Sequence, residues 1–487
     1  MTLSLIMIKG NGLRSTPPTP REPGQIGNES TRPSPYDGAA RRLGDYPAEG
    51  PAPPIVPIEE RLMSDPLPSS APRIAVIGAG PIGLESALEG ARRGFNVEIY
   101  EAGRVAEHLR RFAWVTLFTP FAMNASERGR ARLRETGADL PSDDAILTAG
   151  AFVARYLEPL SRLPELSGRI RERSRVTQIG REGVSKSEAI MAAGDRSRIG
   201  RKFLLRVESE GEAPRFESAD AVIDATGVYG TPRATGPGGL PALGEEELAE
   251  RIDRHLVPIL DAASPRYAGR RVLLVGDGTS AATALVELAA LADRGEAPAV
   301  VWIRRGTAGT EPFHVRADDP LPERANLGAR AGRIAREAAW LTTFPGAVIE
   351  SYAPRGNAVH VTLRESNGVE RTVEVDQILA LAGYRPDAAI HRELHVHLCY
   401  ASEGPMALAS AVLAASIASP GAVGDCLQQT THGAETLRNP EPGFFLAGAK
   451  SYGRNPQFLL SLGHGQIEDI FGLIEADLAA TGGSVLP

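Results

Sequence analysis

The sequence predicts an α/β architecture of two three-layer units, each a parallel sheet with helices on both faces. Three observations predict it. Two strand–turn–helix–strand segments carry glycines at matched spacing, an apolar strand ending in Asp-Ala-Thr-Gly lies between them, and a further apolar strand followed by a helix closes the chain. Strands that alternate with helices give βαβ units and hence a parallel sheet.

The first segment, Ile74 to Glu101, reads as a short strand to Ile77, a turn with Gly78, Gly80 and Gly83 at GxGxxG spacing, a helix to about Arg93 and a second strand ending in Glu101. Each glycine has a physical reason. Gly78 permits the tight turn, Gly80 lets the backbone approach a pyrophosphate, and Gly83 lets helix and strand pack closely. The helix N-terminus adds unpaired N–H groups and about half a positive charge. Glu101 accepts hydrogen bonds from ribose hydroxyls and repels a 2′-phosphate, so the unit reads as a Rossmann-like site for FAD or NAD and not for NADP. Pro81, inside the turn, is counted with the binding residues. The alternative is a glycine-rich turn that binds nothing, and the strand, helix and acidic residue in their places argue against it.

The second segment, Arg270 to Ala292, repeats the design with Gly276, Gly278, Ser280 and Ala281, alanine being an accepted third residue for close packing. Its next strand ends in Arg304 and Arg305 where the first unit has Glu101. Guanidinium groups at that position hold a 2′-phosphate bidentately, so this unit reads as an NADP site. A solvated edge is the bland reading of the two arginines.

Composition bounds the partners. The 487 residues exceed one ordinary domain and predict two or three. With 42% hydrophobic and 23% charged residues the chain has a globular composition. A net charge of −7, with no basic stripe, argues against nucleic acid. Cys399 and Cys426 are the two cysteines and form no CxxC, so a reducing, cytoplasmic setting is expected. The longest apolar run, Met406 to Ala418, is interrupted by Ser410 and Ser416 and falls short of the ~20 residues of a membrane span. The first nine residues lack the charged start and cleavage site of a signal peptide. Neither a membrane partner nor a metal is expected, since no zinc spacing occurs.

Taken in order, residues 1–72 form a Pro-rich segment without apolar periodicity, expected to be a disordered tail because it cannot bury enough surface to offset its ordering entropy. The stretch from Glu101 to Arg130 mixes Phe112, Trp114, Phe118, Phe121, Asn124 and Ser126 without strand or helix period. It reads equally as a loop lining a cofactor ring and substrate pocket or as packing over the first unit. A Thr148-capped helix precedes a strand at Val176 to Ile179, with Val176 counted among the cofactor-binding residues, and a meander through Phe203 to Ser209 and Arg215 to Ser218. In the Asp-Ala-Thr-Gly strand, Ala221 to Pro232, Thr226 and Gly227 let the chain turn closely under a cofactor. Beyond the second unit come a loop and helix at Asp318 to Ala331, strands at Ala347 to Ser351, Asn357 to Glu365 and Val369 to Val375, and a buried strand leaving through Gly383. Arg385, just after it, is a further candidate for a nucleotide phosphate or for bridging the domains. The last strand, Phe444 to Gly448, turns near Lys450 into a helix with Ile467, Ile470, Phe471 and Ile474 on one face.

Two nucleotide units in this order, the ATG strand between them, a GYRPD strand and a C-terminal strand-turn-helix together resemble the two-dinucleotide-binding-domain flavoproteins. That superfamily includes flavin-containing monooxygenases, N-hydroxylating monooxygenases and thioredoxin-reductase-like enzymes, and the likeness runs from about Arg73 to Ala480. The resemblance implies an FAD domain split in sequence, residues 73–240 and 391–487, with an NADPH domain, residues 241–390, inserted in it. It implies that Gly78, Gly80, Gly83 and Glu101 hold the adenosine and pyrophosphate of FAD, that Thr226 and Gly227 belong to the ATG motif, that Gly276, Gly278, Ser280 and Ala281 receive NADPH, and that Gly448 opens the flavin-binding turn. Relatives usually have Asp after that last glycine. Here it is Ala449, which leaves the ribityl contact to backbone or to Lys450, Asn455 or Gln457. The stretch from Gly236 to Ala268 also lacks the FxGxxxH fingerprint of the best-known monooxygenases.

The implied activity is hydride transfer from NADPH to FAD followed by oxidation of a small-molecule substrate, monooxygenase-like. One alternative is an NADPH-dependent disulfide- or quinone-type reductase without an internal CxxC. Another is a flavoprotein without turnover that senses redox state or binds a partner, to which Ala449 and the Pro-rich tail point. His432, His464 and Lys450 are the candidate acid–base groups, with a hydrogen-bonded structural histidine as the alternative for the first two. A homodimer is left open.

Overall fold

The computed structural model describes residues 71–188, 198–307, 309–313, 319–418 and 431–480. Most of the Pro-rich segment and Cys426 lie outside them. In chain order the strands of the first half are β1 (Arg73–Ile77), β2 (Asn96–Tyr100), β3 (Ile170–Arg171), β4 (Ser174–Arg181), β5 (Phe203–Ser209), β6 (Arg215–Ala219), β7 (Ala221–Asp224) and β8 (Ile252–Asp253). They are followed by β9 (Arg271–Val275), β10 (Ala299–Arg304), β11 (Leu341–Pro345), β12 (Val348–Arg355), β13 (Ala358–Arg364), β14 (Glu370–Val375), β15 (Gln377–Ala380) and β16 (Phe444–Leu446). The longer helices are α1 (Pro81–Arg92), α2 (Thr279–Asp293), α3 (Pro322–Glu337), α4 (Met406–Ala418) and α5 (Leu460–Ala480).

The strands form two five-stranded parallel sheets, ordered β16-β7-β1-β2-β3 and β11-β10-β9-β15-β8, and two three-stranded antiparallel ones, β4-β5-β6 and β12-β13-β14. β1 and β9 sit at the centre of their sheets and read as unbroken apolar runs because both faces are covered, so nothing selects a polar alternate residue. The last strand returns to the first sheet: β16 pairs in parallel with β7, Phe444 opposite Val222. Helix α5 then lays Ile467, Ile470, Phe471 and Ile474, all buried, against α1, with Phe471 and Phe95 rings 5.7 Å apart.

The two turn-helix units end alike. After α1, Gly94 takes φ +81° and Phe95 N–H donates to Gly90 O at 3.0 Å; after α2, Gly295 takes φ +85° and Glu296 N–H donates to Leu291 O at 3.0 Å. A left-handed glycine lets the chain satisfy the last helical carbonyls and reverse into the next strand.

Several segments differ from the sequence reading. The stretch after Glu101 holds short helices at Glu107–Arg111, Phe121–Asn124 and Glu127–Glu135. Within it Phe121 is fully buried, and Ser126 caps the third helix by accepting from Gly129 N–H at 2.7 Å, so these two residues follow the packing reading of the stretch. The Thr148-capped helix, with Thr148 Oγ1 accepting from Ala151 N–H at 3.1 Å, contains a π-turn at Val153–Leu157. The short strands β8 and β11 edge the second sheet; each pairs with one neighbour, and two to five residues carry too little period to be read from sequence. Among the described residues no helix is long and apolar enough to cross a membrane.

Candidate functional site

The first turn follows β1. Gly78 has φ +98°, and a Cβ on it would lie 2.9 Å from Ala225 O; a Cβ on Gly83 would fall 1.8 Å from Gly78 O. Gly80 is different. Its φ of −78° suits any residue, and a Cβ there would meet nothing within 4 Å. It precedes Pro81, the first residue of α1, and no side chain caps this helix start. The folded chain itself therefore does not demand glycine at Gly80, whereas a group lying against the turn would.

Glu101, one residue past β2, accepts from Ala79 N–H at 2.7 Å and from Gly103 N–H at 2.8 Å. Burial pushes its carboxyl up, with those two N–H groups pulling the other way. Val176 buries its side chain in the cluster of Tyr100, Phe203 and Phe444, so it can offer a ligand only its backbone.

A polar knot lies where β7 and the turn after β16 end side by side. Lys450 Nζ sits 2.6 Å from Asp224 Oδ2 and 3.0 Å from Thr226 Oγ1, while Thr226 Oγ1 donates to Asp224 Oδ1 at 2.7 Å. Lys450 and Asp224 are both fully buried; burial, the largest single influence, pushes the carboxyl of Asp224 up, but the charge and hydrogen bond of Lys450, together with the Thr226 hydroxyl, outweigh it and hold the carboxyl below its usual range. The ammonium is thus committed to an ion pair. Beside it His391 is buried on the Phe444 ring, and burial pushes its pKa down to about 4. The turn itself is at Gly448, φ +67°, whose N–H donates to Gln466 Oε1 at 3.0 Å; a Cβ there would come 3.1 Å from Ile82, so the turn lies directly on the start of α1. Ala449 and Gln457 flank this turn, and Gln457 N–H donates to Asn455 Oδ1 at 3.0 Å. His432 lines a small cavity beside Tyr452 and Gln466. The Nε2 of His464 on α5 is buried and has no hydrogen-bond partner among the described residues. Burial pushes the pKa of both histidines down.

The second turn repeats the first. Gly276 has φ +122° with a would-be Cβ 2.3 Å from Leu381 O, Gly278 would meet nothing within 4 Å, and Ala281 is fully buried. Helix α2 likewise starts without a side-chain cap, with Ser280 half-buried in its first turn. The two arginines part company. Arg304 is 8% exposed, donates to Thr310 O at 2.8 Å and lies 5.8 Å from the Trp302 ring centre. Arg305 projects outward at the lip of the turn, 3.9 Å from Asp277.

No family model matches the chain, and no curated protein matches it in sequence. Solved structures do match. Bacillithiol disulfide reductase from Bacillus cereus aligns over 83% of this chain and 99% of its own at 16% identity, with a TM-score of 0.60. Ornithine hydroxylase from Pseudomonas aeruginosa aligns over 84% and 100% at 14% identity, TM-score 0.55. Ornithine N-hydroxylase from Kutzneria sp. 744, a structure with reduced FAD, NADP+ and L-ornithine, aligns over 83% and 99% at 18% identity, TM-score 0.53. The chain has the two-dinucleotide-binding-domain flavoprotein fold.

On this flavoprotein fold the two sheets are joined by crossing segments at the end of the Ala221–Pro232 stretch and in the GYRPD stretch, where the sequence offers Arg385 as a bridge between domains. Pro232 and Tyr384 form an antiparallel bridge, Arg233 N–H donates to Gly383 O at 2.9 Å, and Arg385, itself exposed, donates its N–H to Thr231 O at 3.0 Å. Arg233 also donates from its guanidinium to Tyr384 O at 3.0 Å and Arg454 O at 3.2 Å, tying the crossing to the C-terminal turn. Around it, Tyr229 lies 4.3 Å from His255, 4.9 Å from Tyr384, 5.1 Å from His108 and 5.4 Å from Phe112 between ring centres. His255 Nδ1 is 3.1 Å from Tyr384 Oη, and burial pushes both His108 and His255 down, so both are neutral at pH 7. Phe112 and the GYRPD residue Tyr384 lie in stretches that the sequence singles out; the cluster gathers three parts of the chain, residues 108–112, 229–255 and 384, each over a hundred residues from the next.

Proposed function

We propose that the chain is an FAD-dependent, NADPH-using oxidoreductase that oxidises a small molecule in a monooxygenase-like reaction. The observation that carries this reading is the pair of open glycines, Gly80 and Gly278, each before an uncapped helix, one with a carboxylate and the other with a guanidinium at its lip. Glycine is needed at both positions only if a backbone-hugging anion lies there, and the opposite lip charges sort a flavin nucleotide from a 2′-phosphorylated one. The residues that would hold FAD are those of the Gly78–Gly83 turn, Glu101 and the Gly448 turn; Gly276 to Ala281 and Arg305 would hold NADPH. Held there, FAD would supply the capacity to accept hydride from NADPH and pass reducing equivalents on.

The chain's own residues position and insulate. The Asp224–Lys450 pair, sealed under Thr226, fixes the end of β7 against the C-terminal turn and keeps water out. The neutral His255, His108 and Tyr384 at the crossing present hydrogen-bonding and stacking surface without charge. The lack of any CxxC in the sequence supports an oxygenase over a dithiol relay. The second reading, a disulfide-type reductase that uses a substrate disulfide in place of an internal one, draws on the likeness to bacillithiol disulfide reductase.

The test is to load the purified protein with FAD and mix it with NADPH without oxygen, following loss of the yellow colour. Air is then admitted with candidate amines and thiols, or disulfides are added without air. Oxygen-dependent hydroxylated product supports the oxygenase, and thiol formed anaerobically supports the reductase. A protein that refuses FAD overturns both.

A further inference from the structure

Between the glycines of the second turn stands Asp277. A carboxylate here runs against the local electrostatics of the proposed task. The turn opens α2, whose N-terminal N–H groups and positive dipole end favour anions, and a dinucleotide brings a diphosphate to that place. Turn geometry does not demand the acid, since Ala79 occupies the same position of the first turn. Asp277 faces away from its own helix toward the end of β10: its Oδ2 accepts from Gly306 N–H at 3.4 Å, and its Oδ1 lies 3.9 Å from Arg305 Nη2. Arg304 cannot take over at the lip, because it is buried and donates to Thr310 O. Arg305 also stands in the field of Arg233, a guanidinium depressed by burial and by its neighbours Arg454 and Arg305. Arg305 thus stands in the fields of both an acid, Asp277, and a cation, Arg233.

Resting on the reading of this turn as an NADPH site, we propose that Asp277 is the counter-anion that Arg305 exchanges for the 2′-phosphate, and that its charge holds nucleotide affinity down. Two separable effects follow. Any dinucleotide brings its diphosphate near a carboxylate; a like-charge pair about 6 Å apart in water weakens binding roughly threefold, so two diphosphate charges give about tenfold. A nucleotide with a 2′-phosphate must also break an exposed ion pair, an effect of about threefold or less. The weakened hold speeds departure of the oxidised nucleotide, a step that limits turnover in many enzymes.

The experiment titrates the FAD-loaded protein with NADP+ and NAD+ by calorimetry at low salt, where surface charges are least screened. The variants are D277N, R305A and the double variant, each checked by thermal melting, with D277A as a second replacement should D277N fold poorly. D277N is expected to tighten NAD+ about tenfold and NADP+ by up to about threefold more. R305A is expected to weaken NADP+ alone, and in the R305A background D277N is expected to tighten both nucleotides equally. Unchanged or weaker NADP+ binding by D277N, or the same NADP+ gain with and without Arg305, overturns the exchange. If the protein takes FAD but neither it nor any variant binds either nucleotide, the NADPH reading falls and the proposal with it.

Discussion

Lys450→Met is the perturbation that tests the buried knot most directly. Methionine keeps the length and apolar stem of lysine but removes two hydrogen bonds, to Asp224 Oδ2 at 2.6 Å and to Thr226 Oγ1 at 3.0 Å, and leaves a fully buried carboxylate without its cation. Breaking a buried pair from one side costs about 3–5 kcal/mol, because the orphaned charge keeps its desolvation penalty. For a chain of 487 residues, an unfolding entropy of about 2.1 cal/mol/K per residue makes 4 kcal/mol worth about 4 °C in Tm. The pH dependence gives the sharper signature. In the wild type Asp224 is depressed, so its contribution is present above the ordinary carboxyl range and is lost as pH falls through the depressed value. In the variant burial acts without the opposing cation and the carboxyl is raised, so its contribution is fullest below the ordinary range and falls as pH rises. The stability gap between wild type and variant, measured by urea unfolding from pH 4 to 8, is therefore expected to narrow on acidification. The double variant D224N/K450M is expected to recover most of the loss. A variant within 1 kcal/mol of wild type at pH 7, or a gap that widens toward pH 4, would refute the reasoning. Because the same knot fixes the turn proposed to hold the flavin, weaker FAD retention is expected alongside.

The glycines separate binding from folding. Gly80→Ala and Gly278→Ala add a methyl group to open space at ordinary φ, so both are expected to melt within about 1 kcal/mol of wild type while losing FAD and NADPH respectively, read by flavin absorbance and nucleotide titration. Gly83→Ala, whose Cβ would meet Gly78 O at 1.8 Å, is expected not to fold; a soluble, yellow G83A would contradict the packing described. Cys399 is held below the ordinary thiol value, first by its hydrogen bond with the Ser402 side chain and then by backbone N–H groups. Its alkylation by iodoacetamide is expected to reach half-maximal rate at a pH below the ~8.5 of a free thiol. Ser402→Ala should move that midpoint up, and an unmoved midpoint would remove Ser402 from the account.

What this sequence determined by itself was local. Both glycine turns, both helices that follow them, the alternation of the two meanders and the apolar face of α5 are fixed by residues within a few positions of one another, where period and turn chemistry act directly. For that reason Gly78, Gly80, Gly83, Gly276 and Gly278 were legible, and so was the contrast between an acidic and a basic lip. The tertiary structure decided which of these side chains were left available. Arg304 and Arg305 are indistinguishable as text, yet the end of β10 buries one and exposes the other. Lys450 has the look of a polar residue beside a cofactor until β16 pairs with β7 and places it against Asp224, 226 residues away. Tyr229 and Tyr384 lie in recognisable motifs and His255 in none, but the three meet only because two crossing segments run antiparallel between the sheets. Strand order sets such encounters, and it is chosen by the burial of whole faces at once, which no window of neighbouring residues records.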